Sequence, residues 1–158
     1  MSEIAVTENN NIEEILERDG VYASVTSGCS MRPLFKTHRD MIVVEKPVKK
    51  LAKYDVALYR VSGKYILHRV IGIDEESGVY IIRGDNTYLK EYIPFKKVIG
   101  VLISFNRKGK RHDVTERGYR IYSVIWNAIY PLRYFARAIL SFPRRVFRKI
   151  FKKRSKET

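Results

Sequence analysis

A serine at position 30, a histidine at 68 and carboxylates at 85 and 91 are the side chains whose types and order could carry chemistry in this chain. A serine hydroxyl is a weak nucleophile until a neighbouring base takes its proton, and a carboxylate that orients the base and stabilises its cation completes the arrangement. Ser30 lies in Ser27-Gly28-Cys29-Ser30-Met31-Arg32-Pro33. Gly28 permits an unusual backbone angle or close substrate approach, Pro33 stiffens the turn, and main-chain N–H groups near Ser30 could serve as an oxyanion hole. Cys29 abuts the serine and reads as filler. His68 sits in Leu67-His68-Arg69-Val70-Ile71-Gly72, Asp85 in Arg83-Gly84-Asp85-Asn86, and Glu91 follows Lys90. Taken singly, each has a plain structural reading: a serine in a turn, a histidine on a strand, an aspartate in a tight turn. Their conjunction in the order Ser, His, acid suggests acyl transfer to serine. His38 and His112 fall in polar, loop-like stretches.

Elements that could position these residues follow from hydrophobic periodicity. Asn11 to Arg18 has Ile12, Ile15 and Leu16 at helical spacing, acids toward its start and Gly20 past its end, so a short helix packing as a lid is expected. Runs rich in Val, Ile and Tyr then predict strands at Val21 to Thr26, Met41 to Glu45, Val56 to Val61, Tyr65 to Ile73, Val79 to Arg83 and Val98 to Phe105. The breaks carry turn chemistry at Ser62-Gly63, Glu76-Ser77-Gly78, Gly84-Asp85-Asn86 and Asn106 to Lys110. That fits antiparallel hairpins in a small coiled β-sheet or barrel rather than βαβ units. From Tyr119 the period returns to helical through Leu140, with Pro131 expected to bend the helix and Pro143 to separate a second, basic segment, Arg144 to Lys156. The fold class is therefore mainly β, with a short N-terminal helix and C-terminal amphipathic helices. The expected divisions are residues 1–20, 21–118 and 119–158.

A chain of 158 residues with 45% hydrophobic content can bury one core and is not a disordered composition. The single Cys29 excludes an intramolecular disulfide, and no Cys/His spacing suits a metal, so no cofactor is expected. The net charge of +14 is uneven. From Tyr119 onward there are eleven Lys or Arg against the one acid Glu157, whereas residues 1–118 hold twenty bases and sixteen acids. Basic residues interleaved with aromatics on amphipathic helices are the composition of a surface lying on anionic lipid. The run from Ile121 to Phe142 approaches the ~20 residues that cross a bilayer. It contains Arg133 and Arg137, however, at a cost of roughly 2.5–3.5 kcal/mol each near the middle, so an interfacial position is expected, with packing of Tyr119 to Phe142 on the β domain or on another subunit as the alternative. Nucleic acid is not expected as a partner, because the residues before the core cannot form a helix-turn-helix.

The long pattern resembles the signal peptidase I family of serine peptidases, whose fold is shared with the self-cleaving domain of SOS-type repressors. Ser27 to Pro33 resembles the nucleophile box, Arg39 to Val44 and Tyr54 to Tyr59 the following strands, and His68 to Gly72 the box carrying the general base. Gly84-Asp85-Asn86 and Val98 to Val101 complete a match covering about Val21 to Phe105. The resemblance implies Ser30 as nucleophile. His68 stands where the bacterial branch and the repressors carry lysine, which matches the archaeal and endoplasmic-reticulum-type branch. With an ordinary pKa of about 6.5, histidine is a usable base at neutral pH. That branch places a further aspartate several residues after Gly-Asp-Asn. Here Lys90-Glu91 stands in its place, and either Asp85 or Glu91 could be the third member.

The resemblance implies cleavage of an extended leader or precursor peptide after small side chains. The N-terminal anchor usual in the family has no counterpart in the polar, acidic first 20 residues, which also lack a signal-peptide pattern. The basic tail is expected to replace it, placing the domain at the cytoplasmic face of the membrane as a peripheral protein, or in the cytoplasm. The alternative is a catalytically weak or inactive module of the same fold that binds a peptide or partner protein at the membrane.

Overall fold

The computed structural model describes residues 11–137. The second basic segment, Arg144 to Lys156, lies outside them. Helix α1 (Ile12–Asp19) is followed by β1 (Val21–Val25), β2 (Met41–Glu45), β3 (Val56–Val61), β4 (Lys64–Asp74), β5 (Val79–Arg83), β6 (Glu91–Pro94), β7 (Val98–Arg107) and β8 (Lys110–Asp113). Helix α2 (Arg117–Ala128) and a further helical stretch, α3 (130–137), close the described chain.

The strands form one eight-stranded antiparallel sheet in the order β1-β2-β7-β3-β4-β5-β6, with β8 on β7. The sheet is open: β1 and β6 end the row, so the barrel alternative among the expectations is corrected to an open sheet. Six strands coincide with the apolar runs. The two that do not, β6 and β8, are four residues each and owe their pairing to neighbours. β8 (Lys-Arg-His-Asp) has no apolar alternation, and it is brought onto β7 by the turn at Lys108 and Gly109, which have φ of 54° and 79°. His112 accordingly lies on a strand, stacked against Phe105 and bonded to Glu116, rather than in a loop.

Successive side chains of a strand face opposite sides of a sheet, and here both sides of the central strands are buried. One core holds Val56 and Leu58 of β3 with Tyr65 and Leu67 of β4, together with Met31, Leu34 and Phe35. The other holds Ala57, Tyr59, Ile66, Val70, Tyr80 and Ile82. Helix α1 covers the first core with Ile12 and Leu16, one turn apart. An eight-residue helix is marginal alone, and burying two such side chains at about 1.5–3 kcal/mol each holds it in place.

The described chain divides into two compact units, residues 11–124 and 125–137. In the second, the Arg133 guanidinium lies 3.6 Å from the centre of the Trp126 ring and donates to its carbonyl. Ile129, Leu132 and Phe135 are exposed. No helix among the described residues is long and apolar enough to cross a membrane.

Candidate active site

Ser30 is held by the loop between β1 and β2, which is pinned at both ends. Thr26 N–H donates to the Asp40 carbonyl, and His38 N–H to the Thr26 carbonyl, at 3.1 and 2.8 Å. Within the loop, the Thr37 hydroxyl donates to the Gly28 carbonyl. Asp40 accepts from Lys36 N–H and pairs with Arg39 at 2.6 Å. Burial would raise the Asp40 carboxyl, but Arg39 and the Lys36 N–H hold it below the usual range. Met31, Leu34 and Phe35, sunk in the first core, fix the stretch after the serine. Gly28 has φ +80°, a backbone angle that a side chain would strain, and the Arg32–Pro33 bond is cis. The turn chemistry read from the sequence is thus used as a rigid mount.

His68 comes from the centre of β4, opposite Ala57 of β3. Ser30 Oγ and His68 Nε2 are 2.7 Å apart. On the other side of the ring, His68 Nδ1 is 2.9 Å from Glu91 Oε1. With the ring proton on Nδ1, Nε2 accepts from the serine hydroxyl while Nδ1–H donates to the carboxylate. Glu91 is the first residue of β6 and pairs with Ile82 of β5, so the short strand missed in the sequence is what delivers the acid.

Tyr59 completes the group. Its hydroxyl donates to Glu91 Oε2 at 2.9 Å and lies 3.1 Å from His68 Nδ1. The His68 bond, seconded by Tyr59, holds the Glu91 carboxyl below its ordinary pKa against the opposing effect of burial. Burial and the adjacent carboxylate push the Tyr59 phenol far up, so it stays a donor. Tyr59 carried a detectable signal: two residues beyond the partner of His68, it shares the histidine's face of the sheet.

Asp85, ranked level with Glu91 from sequence, is placed elsewhere. Its two oxygens accept from Arg69 Nε and Nη2, both at 2.8 Å, and Oδ2 also accepts from Tyr122 at 3.0 Å. Arg69 is fully buried, and although burial alone would lower its pKa, the Asp85 charge raises it and keeps the cation. Asp85 therefore serves Arg69, the residue next to His68, and the carboxylate on His68 itself is Glu91. The turn that carries Asp85 nonetheless touches the Ser30 loop: Asn86 N–H donates to the Ser30 carbonyl at 2.6 Å, and Asn86 Nδ2 to the Cys29 carbonyl at 3.2 Å. Cys29 is exposed, and its carbonyl accepts the second of these bonds.

Ser30 and His68 are only 1% and 2% exposed. Two open cavities, of about 510 Å³ beside α1 and about 620 Å³ beside α2, are lined by other residues. Ser27 Oγ, in the same loop as Ser30, is buried with no hydrogen-bond partner among the described residues. Among the described residues no three His, Cys, Asp or Glu side chains converge as a metal site would need. Compared with protein-family models, curated proteins and solved structures, the chain finds no match.

Proposed function

We propose that this chain is a serine endopeptidase, similar to signal peptidase, that cleaves an extended leader or precursor peptide. The observation that carries the reading is the continuous relay from Ser30 Oγ through both ring nitrogens of His68 to Glu91, at 2.7 and 2.9 Å. In this scheme His68 Nε2 takes the hydroxyl proton as Ser30 Oγ attacks the scissile carbonyl carbon, and Glu91 stabilises the imidazolium across Nδ1–H. The proton on Nε2 then passes to the departing amine as the peptide C–N bond breaks, leaving an acyl-serine. Water, deprotonated by the same nitrogen, hydrolyses the ester and restores the hydroxyl. Ser27, a buried hydroxyl without a partner in the same loop, is the side-chain candidate to donate to the developing oxyanion.

An extended substrate suits the open sheet, whose end strands β1 and β6 each pair on one side only among the described residues, leaving an edge for a peptide to add to. Small side chains at the cleavage point are what the family resemblance implies. Association with anionic membrane through the basic tail, at the cytoplasmic face, belongs to the same reading and rests on the sequence from Tyr119 onward.

One observation favours the binding-only alternative: a serine 1% exposed has to be uncovered before it can attack. Incubation with a library of extended peptides, read by mass spectrometry, separates the two. The peptidase reading expects cleavage that is abolished by both Ser30→Ala and His68→Ala, each variant remaining folded. Capture of a peptide without cleavage by the wild-type chain, or cleavage surviving Ser30→Ala, contradicts it.

A further inference from the structure

Arg69 and Asp85 each adjoin a residue at the centre of the candidate site. Arg69 follows His68 in β4, while Asp85 stands between Gly84, which lies against the Ser30 carbonyl and the His68 ring, and Asn86, which bonds that same carbonyl. Helix α2 closes this pair from outside. Tyr119, Tyr122 and Ser123 are spaced three and four residues apart, hence on one helical face. Arg69 Nη1 donates to Ser123 Oγ at 2.8 Å and to Tyr119 Oη at 3.2 Å. The Tyr122 hydroxyl donates to Asp85 at 3.0 Å. The guanidinium carbon lies 5.5 and 5.8 Å from the centres of the Tyr119 and Tyr122 rings, within cation–π range.

We propose that α2 is a positioning element of the active site: Tyr119, Tyr122 and Ser123 lock the Arg69–Asp85 pair, and that pair sets the Ser30 loop against His68. The claim rests on the peptidase reading and adds to it that the helix opening the basic C-terminal region acts on catalysis. Physically, a fully buried arginine tolerates few arrangements, because each donor must meet an acceptor. Arg69 Nη1 also donates to the Tyr54 carbonyl at 2.9 Å, so loss of one α2 hydroxyl leaves the guanidinium or its carboxylate to turn toward the partners that remain. Arg69 is one residue from His68, and Asp85 stands between the two residues that touch the Ser30 carbonyl, so the turn is transmitted through the backbone and the Asn86–Ser30 hydrogen bond rather than through a side-chain contact with substrate. Tyr122 and Ser123 are thus positioning residues.

The test uses the full chain with Tyr122→Phe, Ser123→Ala and, as a control on the exposed side of the same helix, Ile121→Ala. Three quantities are read: the rate at which a fluorophosphonate phosphonylates the protein with loss of fluoride, the thermal midpoint, and the His68 ring resonances in a nitrogen–proton NMR spectrum. Hydrogen bonds to charged groups support an expected slowing of about ten-fold for each α2 hydroxyl lost. Displaced His68 resonances should accompany it well below the melting temperature, while Ile121→Ala matches wild type. A lowered melting temperature with an unchanged rate and superimposable His68 resonances overturns the proposal, leaving α2 as packing only. A wild-type chain that is never phosphonylated counts against the peptidase reading instead, and the His68 resonances still decide whether α2 positions the site. Should Ser123→Ala fail to fold, Tyr122→Phe, which keeps the ring, gives the same three readings.

Discussion

A single methyl group at Gly84 should damage the candidate site while leaving the fold standing. A β-carbon there would lie 2.8 Å from the Ser30 carbonyl oxygen, 3.0 Å from His68 Nε2 and 3.1 Å from His68 Cδ2. Carbon–oxygen contacts settle near 3.3–3.6 Å, so Gly84→Ala must push these groups apart by roughly half an ångström. The Ser30 carbonyl cannot yield freely, because Asn86 N–H holds it at 2.6 Å. The Ser30–His68 bond, 2.7 Å long, then opens past the ~2.5–3.0 Å range of O–H hydrogen bonds. Misplacement of a reacting group by about 1 Å costs around 100-fold in rate, and half that distance gives an expected loss between about 10- and 100-fold in kcat. Overpacking should also cost about 1–3 kcal/mol of stability, a thermal shift of several degrees. The control is Gly72→Ala on β4, whose methyl would meet Ile81 Cδ1 at 3.2 Å, the movable end of a side chain. Kinetics of phosphonylation by a fluorophosphonate and melting curves of the three proteins decide. A folded Gly84→Ala that reacts at the wild-type rate refutes the reasoning, as does a Gly72→Ala equally impaired.

Tyr59→Phe removes the donor to Glu91 Oε2 but leaves Glu91 on His68, so kcat is expected to fall about ten-fold with KM little changed. Unchanged steady-state kinetics would remove Tyr59 from the site. Glu91 has a folded pKa below its ordinary value of about 4.5, so its contribution to stability is present above that pH and is lost as the pH falls through the folded value. The difference in melting temperature between wild type and Glu91→Gln should accordingly be constant above about pH 5.5 and shrink in acid; parallel curves across pH 6 to 3 contradict the assignment. The full chain should co-sediment with anionic vesicles in a salt-sensitive manner, and a chain ending at residue 137 should lose most of that binding, since each Lys or Arg near such a surface contributes about 1 kcal/mol. Retention by the shortened chain would sink the membrane proposal.

What could and could not be read from the sequence divides along the line between local pattern and strand pairing. Apolar periodicity marked α1 and six strands because each carries enough Val, Ile, Leu and Tyr to record which sides are buried. β8 carries no such record, and β6 (Glu-Tyr-Ile-Pro) has too few residues for a period. The third member of the site was undecidable for the same reason: Glu91 reaches His68 only because β6 pairs with β5 and β5 with β4, a fact of tertiary register. One local clue was present. His68 and Arg69 are consecutive in an apolar strand and so face opposite sides of a sheet, where each needs its own carboxylate. Glu91 and Asp85 are those two acids. The interactions of α2 with Arg69 left no local trace, since Tyr119, Tyr122 and Ser123 read in sequence as part of an amphipathic tail.

The most direct measurement of the central claim is to treat the full chain with a fluorophosphonate, digest it and locate the adduct by mass spectrometry. The account predicts one adduct, on Ser30, absent in Ser30→Ala and slowed at least 100-fold in His68→Ala, as removal of a general base requires. No adduct on the wild-type chain, an adduct elsewhere, or labelling of Ser30 that is indifferent to His68 would contradict it.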